Sequence, residues 1–209
     1  MEPVQDTESV RHISPGRKPG RTPAFRFLLT MVVLAWALVG FPCSWAQRPK
    51  PSDYQVKAAY LYNFGRFVEW PSELTTAKSG PFTICVLGQD PFGSTLDATL
   101  AGETIAGKNV VAKRISTPQE SVNCQIVFLS ATEAGRLNKI MEGLDKAAVL
   151  TVSDMPQFAQ RGGMIQFVLE GNRVRFEVNL IATQHAGLTL SSDLLKVATA
   201  VRRNPAGGD

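Results

Sequence analysis

Apolar residues recur at helical spacing between residues 54 and 70, where the part of the chain with the pattern of a folded domain begins. Asp53 can cap a helix that begins at Tyr54, and Pro71, directly after Trp70, predicts its end. The predicted buried face consists of the apolar positions Val56, Tyr60, Phe64 and Phe67. Because aromatic stripes of this kind are usually core, the helix predicts packing and not a ligand site.

Short apolar runs, typical of buried strands, follow this helix and are separated by turn-like or helix-like segments. The predicted strands are 82–87, 110–115, 125–129 and 149–152. The predicted helices are 94–100, 130–144 and 158–160, the second of them opening on a capping-box pattern at Ser130 and Glu133. An alternation of strand and helix favours a parallel, doubly wound sheet.

Near the carboxyl end of the chain, apolar and polar residues begin to alternate strictly. Strands are predicted at 164–169 and 173–180, joined by a two-residue turn at Gly171-Asn172. A closing helix is predicted within 188–201, with its start near Ser191. The predicted fold class is therefore α/β: a three-layer sandwich with a mostly parallel doubly wound sheet, a C-terminal antiparallel hairpin and helices on both faces.

The first 46 residues have the three parts of a secretory signal. A basic region (1–26) precedes an apolar region (27–41), and small residues at Ser44 and Ala46 suit cleavage after Ala46. The apolar region spans 15 residues, fewer than the ~20 that cross a bilayer as a stable helix. An uncleaved anchor is the alternative interpretation. The sequence thus predicts a signal peptide (1–46), a polar lead-in (47–53), one domain (54–201) and a flexible tail (202–209), exported to the periplasm.

The number of charged residues argues against a nucleic-acid partner. Of 22 Lys and Arg residues, five lie within 1–46, and of 18 Asp and Glu residues three lie there, which leaves 17 and 15. The remaining chain has a net charge of +2, and it has no arginine-rich run and no alternation of basic and aromatic residues. We therefore expect no nucleic-acid partner.

Two cysteines remain once Cys43 leaves with the signal. Cys85 and Cys124 are 39 residues apart, and a bridge between them would contribute about 4 kcal/mol in the loop-entropy model. Export to an oxidising compartment favours this bridge. Because both cysteines lie in apolar runs, two buried thiols are the alternative.

Catalytic and cofactor patterns are weak in this sequence. Beyond residue 46 the one histidine is His185, too few for a zinc site, so no metal and no cofactor is predicted. Ser153-Asp154 follows a strand, where sites often lie in α/β sheets, and His185 could complete a triad. Because no Gly-x-Ser-x-Gly elbow surrounds Ser153, a turn before Pro156 is the preferred interpretation, and we expect no enzyme.

A glycine-rich turn resembles a phosphate loop in spacing alone. Gly88 and Gly93 are separated by four residues between a strand and a helix, but Ser94 replaces the lysine that contacts the phosphates. We interpret the segment as a tight turn.

The second hairpin strand predicts an exposed polar face. Val174, Phe176 and Val178 alternate with Arg175, Glu177 and Asn179, so the latter three share the opposite face. Such a face is either a solvated surface or a binding surface, and the residues alone leave both open.

Several separated blocks resemble YfiR-like periplasmic proteins. They are 56–71 (VKAAYLYNFGRFVEWP), 84–93 (ICVLGQDPFG), 149–154 (VLTVSD), 162–165 (GGMI), 172–180 (NRVRFEVNL) and the helix that contains 191–196 (SSDLLK). The resemblance covers about residues 54–201. Cys85 and Cys124 fall on family cysteine positions, which supports the bridge, whereas a second pair found in some relatives within 159–172 is absent here.

The resemblance implies a periplasmic regulator and not an enzyme. Relatives bind the periplasmic sensory domain of an inner-membrane diguanylate cyclase and hold it inactive, and an outer-membrane lipoprotein can sequester them. The output is cyclic-di-GMP, which controls biofilm formation and motility. Dimers are common in the family, so a homodimer is a further partner that the resemblance allows. Among Arg175, Glu177 and Asn179, Glu177 is expected to contact the partner, with pairing to Arg173 or Arg175 as the structural alternative.

Two other functions compete with this one. A periplasmic small-ligand or redox sensor for another membrane partner would share the fold, and an exported hydrolase would need His185 beside Ser153.

Overall fold

The computed structural model describes residues 51–71, 80–145 and 147–203. The predicted signal, most of the lead-in and residues 204–209 of the tail lie outside the described residues. The helices are α1 (Asp53–Phe67), α2 (Ser94–Leu100), α3 (Leu137–Leu144), α4 (Leu180–His185) and α5 (Ser192–Val197). Two 3₁₀ segments cover Pro118–Asn123 and Ala131–Arg136.

The strands alternate with these helices. They are β1 (Val68–Glu69), β2 (Phe82–Leu87), β3 (Thr104–Ile105), β4 (Lys108–Ile115), β5 (Ile126–Leu129), β6 (Leu150–Ser153), β7 (Ile165–Glu170), β8 (Arg173–Asn179), β9 (Thr189–Leu190) and β10 (Ala200–Arg202). Within the described ranges, no helix combines the length and apolar character needed to cross a bilayer.

Eight of these strands form one sheet in the order β10-β8-β7-β6-β5-β2-β4-β3, and β1 pairs with β9 separately. Neighbours from β4 through β2, β5 and β6 to β7 are parallel, as are β8 and β10. The β7–β8 and β3–β4 pairs are antiparallel. From β2 the chain passes to β4 on one side and then to β5 on the other, so the sheet is doubly wound, as the alternation predicted.

Two separate apolar clusters lie on the two faces of the sheet. Neighbouring residues of β2 point to opposite faces, since Ile84 belongs to one cluster and Cys85 to the other. The larger cluster includes Leu61 and Phe64 of α1, and the smaller one includes Ile140 of α3. The three-layer α/β sandwich is therefore confirmed.

The first helix begins and packs differently from the prediction. Ser52 is the N-cap: its hydroxyl accepts from the Gln55 backbone N–H, while the Gln55 side chain accepts from the Ser52 N–H. The helix ends at Phe67, and the next two residues form β1. Phe67 is 37% exposed, whereas Lys57 is buried, so the buried face is rotated from the predicted one.

The carboxyl-terminal part contains three further differences. Residues 158–160 form turns and not a helix, and α4 follows β8 directly where no helix was predicted. The predicted final helix is limited to Ser192–Val197, after which β10 pairs in parallel with β8. The hairpin itself is as predicted, with Gly171 and Asn172 both at positive φ.

Arg114 of β4 ties α2 to the turn that precedes it. Its Nη1 and Nη2 each donate to a carboxylate oxygen of Asp97 at 2.6 Å, its Nε donates to Asp90 at 2.9 Å, and Nη2 also donates to the Gly93 carbonyl at 2.7 Å. The hydrogen bonds from Arg114 lower the pKa of Asp97 below its ordinary value.

Arg114→Ala is expected to lower the free energy of unfolding at neutral pH by about 1–2 kcal/mol, because it removes two charge pairs and a carbonyl contact at a largely exposed site. The pKa of Asp97 is depressed in the folded state, so this stabilisation holds above the ordinary carboxyl pKa and is lost as the pH falls through the folded-state value. Urea titrations should thus show the difference between variant and wild type shrinking in acid. Lys196→Ala, which removes an exposed pair with Asp193, is the control and should show no pH-dependent difference.

Candidate functional site

The hairpin face predicted from the sequence contains two accessible charged side chains. Arg175 is exposed and Glu177 is half-buried on β8, whereas Phe176 between them belongs to the core cluster of α1. Across the strands, Arg175 lies opposite Val168 of β7, and Glu177 lies between Gln166 of β7 and Ala200 of β10. The two charges therefore lie on the sheet face opposite α1.

Asn179 does not belong to this exposed face. Its side chain is buried, with Nδ2 donating to the Ala159 carbonyl at 2.9 Å and Oδ1 accepting from the Ala182 N–H at 3.2 Å. Asn179 is the N-cap of α4, so the expectation that it is exposed is wrong. The physical reason is that the turn containing Ala159 and the first turn of α4 cover this end of the strand and bind the Asn179 side chain.

Glu177 has no partner side chain within the described ranges. It forms no ion pair with Arg173 or Arg175 there, and no hydrogen bond of its carboxylate is found. The structure thus gives no support to the alternative in which Glu177 simply pairs with a neighbouring arginine. A half-buried carboxylate that accepts no hydrogen bond from the described residues is available to donors of another molecule.

A disulfide joins Cys85 and Cys124, as expected from the sequence and the resemblance. Cys85 lies in the central strand β2, and Cys124 follows the 3₁₀ segment that leads into β5. Both residues are fully buried, and their Cα atoms are 5.9 Å apart, within the usual range for a disulfide. The bridge therefore anchors the β4-to-β5 connection to the middle of the sheet.

A buried ion pair lies at the carboxyl end of β6. The Nζ of Lys57 donates to Oδ2 of Asp154 at 2.6 Å, and the Tyr54 hydroxyl donates to the same oxygen at 3.1 Å. The two charged side chains are only 8% and 15% exposed. Burial, together with the Asp154 charge, raises the pKa of Tyr54. The cluster fixes the first turns of α1 to the sheet, and nothing in the sequence pattern singled it out.

Comparison with known proteins now decides the family. Residues 54–199 match the YfiR/HmsC-like family model, about 70% of the chain. The chain belongs to the YfiR/HmsC-like family. The family expected from the sequence is therefore confirmed.

Two solved structures are similar to this YfiR-like chain at low identity. One is a conserved domain protein from Vibrio cholerae O1 biovar El Tor, at 12% identity over 62% of this chain and 58% of that one, with a TM-score of 0.45. The other is the ABC domain from Streptococcus pneumoniae in complex with L-Trp, at 13% identity over 68% of this chain and 60% of that one, with a TM-score of 0.43. The match spans less than two thirds of either of those chains.

The serine and histidine of the hydrolase hypothesis have other contacts in this YfiR-like domain. The Ser153 hydroxyl donates to the Leu129 carbonyl at 2.7 Å and accepts from the Met155 N–H at 3.0 Å, which is the predicted turn. The Nε2 of His185 lies 3.4 Å from a carboxylate oxygen of Asp145 on the surface. The structure does not bring Ser153 and His185 into a triad with a hydrogen bond between them.

Residues of the glycine-rich turn also contact other residues of the chain. Gly88 and Gly93 adopt positive φ, as a tight turn requires. A Cβ at Gly88 would lie 2.5 Å from a carboxylate oxygen of Glu133, and Asp90 accepts from the Phe92 N–H at 2.8 Å. Asp90 is paired with Arg114 and Glu133 with Arg136, so the space beside the turn is filled by contacts within the chain.

Proposed function

We propose that this chain is a periplasmic regulatory protein that inhibits a membrane signalling enzyme, specifically a diguanylate cyclase, by binding its periplasmic sensory domain. Family membership supports the periplasmic regulator, and the buried disulfide suits an oxidising compartment. In this proposal residues 1–46 are a signal peptide cleaved after Ala46, and 54–201 act as one domain. An outer-membrane lipoprotein is the proposed antagonist. The chain itself is proposed to assemble as a homodimer.

The observation that supports the proposed binding surface is the carboxylate of Glu177, for which the described part of the chain offers no partner. Charged side chains buried in an interface without partners are costly, so a partner must supply donors to Glu177. Arg175, on the same strand face, is exposed and suited to a carboxylate or carbonyl of that partner. Because Asn179 is buried, we confine the proposed surface to Arg175 and Glu177.

Glu177→Ala is expected to weaken binding to the periplasmic domain of the membrane enzyme by about tenfold or more, because it removes the acceptor at the interface. Purified protein should be titrated against that domain by calorimetry. Cells that carry the variant should contain more cyclic-di-GMP than wild-type cells.

Asp193→Asn, on the exposed surface of α5, is the matched control and should bind like wild type. Equal affinity of Glu177→Ala and wild type would exclude Glu177 from the interface. If the wild-type protein itself forms no complex at micromolar concentration, the cyclase proposal fails.

The alternative is a sensor of a small ligand for a different membrane partner. A cavity at the amino ends of β2 and β4, on the α1 side of the sheet, favours this second candidate. Under this alternative, the protein would bind a ligand but not a cyclase sensory domain.

A further inference from the structure

The strand β4 is paired along most of one edge but along little of the other. Its residues 110–115 pair with β2, whereas β3, on the other side, pairs only with Lys108 and Asn109. The backbone N–H of Val110 also donates on that side, to the Glu103 carbonyl at 3.0 Å. Beyond Val110, none of the described strands lies next to this outer edge.

The direction of each backbone group on β4 follows from two hydrogen bonds. The Val110 N–H points outward, and the Ile115 carbonyl points inward, since it accepts from the Gly88 N–H at the end of β2 at 3.4 Å. Neighbouring residues of a strand direct their N–H and carbonyl groups to opposite sides, so those of Ala112 and Arg114 also point outward. None of these four groups has a hydrogen bond to a described residue.

Two side chains beside this edge are exposed on the sheet face opposite α1. Lys113 is in register with Cys85 of β2, which belongs to the smaller apolar cluster, and Val111 lies on the same face two residues earlier. Val111 is 38% exposed, and Lys113 is exposed too. Unpaired backbone groups on such an edge are a template for a further strand, which would also cover the valine.

The charge of Lys113 favours an acidic segment. Its ammonium forms no ion pair with a carboxylate of the described ranges. It acts on Glu120 only at longer range, and that carboxylate already accepts three hydrogen bonds from residues 116–117. Arg114, in contrast, is bound to two aspartates of its own chain. Lys113 is therefore the cation of this edge that an incoming carboxylate can bind.

We propose that the outer edge of β4 binds an extended acidic segment of another protein by strand addition. The backbone of that segment exchanges hydrogen bonds with Ala112 and Arg114. One of its carboxylates pairs with Lys113, and an apolar side chain two residues away covers Val111. Because β3 closes the edge at Val110, the segment held there has about five residues. The proposal goes beyond the regulatory function and does not depend on it.

This edge and the Arg175–Glu177 surface lie in different parts of the sheet. Four strands, β2, β5, β6 and β7, lie between β4 and β8. Glu177→Ala should therefore leave binding at the β4 edge unchanged, so the failure of either proposal can be recognised independently.

The test is a titration with the peptide acetyl-Glu-Thr-Val-Thr-Glu-amide, whose symmetric pattern suits both chain directions. In ¹H–¹⁵N spectra the amide signals of Ala112 and Arg114 should move downfield and saturate, because these N–H groups gain an acceptor. The signals of Val111 and Lys113, whose N–H groups point to β2, should move less. This alternation distinguishes strand addition from a general effect of the peptide's charge.

A charge reversal tests the role of Lys113. Wild type should bind the acidic peptide about fivefold more tightly than acetyl-Lys-Thr-Val-Thr-Lys-amide, and Lys113→Glu should reverse this preference. Lys139→Glu, at an exposed position of α3, is the matched control and should keep the wild-type preference. Thermal transitions of both variants establish that they are folded.

Three results would overturn the proposal. Signals of Ala112 and Arg114 that stay unmoved at millimolar acidic peptide would mean that the edge accepts no strand. An unchanged peptide preference in folded Lys113→Glu would place the peptide elsewhere. Signals of these two residues that move with protein concentration alone, without peptide, would assign the edge to a second copy of this chain.

Discussion

Replacing Cys85 and Cys124 together by alanine is expected to lower the free energy of unfolding by about 4 kcal/mol. The disulfide closes a loop of 39 residues, and opening that loop restores conformational freedom to the unfolded chain. For a domain of this size the melting temperature should fall by about 8–15 °C. Urea titration and thermal denaturation followed by circular dichroism measure both quantities.

Reduction provides the matched control for this variant. A thiol reductant should lower the stability of the wild-type protein to the level of the double variant and leave the double variant unchanged. The single variant Cys85→Ala should match the double variant, because either substitution removes the same bond. If wild type and double variant unfold at the same urea concentration without reductant, the cross-link contributes nothing to stability.

Asp154→Ala is expected to lower the free energy of unfolding by about 3–5 kcal/mol, the usual effect of breaking a buried ion pair by removing one partner. The ammonium of Lys57 would remain in a site that is only 8% exposed, with no other acceptor among the described residues. The Tyr54 hydroxyl would also lose its acceptor. Equilibrium unfolding in urea at neutral pH is the measurement.

Substituting the other member of the ion pair distinguishes the effect of an unpaired buried charge from a general loss of packing. Lys57→Met should cost less than Asp154→Ala, because Asp154 is more exposed and keeps the hydrogen bond from Tyr54. Adding Lys57→Met to Asp154→Ala should recover part of the lost stability, since it removes the unpaired charge. If the double variant is less stable than Asp154→Ala alone, the loss comes from packing and not from the charge.

Local patterns predicted those parts of the fold in which neighbouring residues decide the structure. The hairpin was predicted because Gly171 and Asn172 are residues that accept positive φ, and the alternation of the next strand fixes which side chains face the core. The bounds of strand β2 were predicted correctly because all of its residues except Thr83 are apolar and it lies between Pro81 and Gly88.

The structure differs from the sequence prediction where contacts between residues far apart in the sequence determine the local structure. Lys57 is buried because Asp154, 97 residues later, balances its charge, and no helical periodicity shows such a pair. Ala200 and Val201 have the apolar character of a helix end, but pairing with the edge of β8 places residues 200–202 in a strand. Pairing between remote segments thus overrides the local preference.

At the candidate site, too, local sequence patterns predicted some features and missed others. The outward position of Glu177 follows from strand alternation alone, and the structure adds that its carboxylate has no partner among residues 51–71, 80–145 and 147–203. Asn179 was misassigned although a signal was present, because asparagine before Leu-Ile-Ala-Thr is a good helix cap.

The pairing between β6 and β7 has a mechanical consequence. These strands share only two residue pairs, Val152 with Ile165 and Ser153 with Gln166, whereas β7 and β8 share six. The sheet therefore consists of two parts joined by these two residue pairs, and the disulfide lies only in the part that contains β2 and β5. Glu177 lies in the other part. The tilt of the proposed docking surface against the cross-linked part is thus set by two residue pairs and by α1, whose apolar face packs in one cluster with strands of both parts.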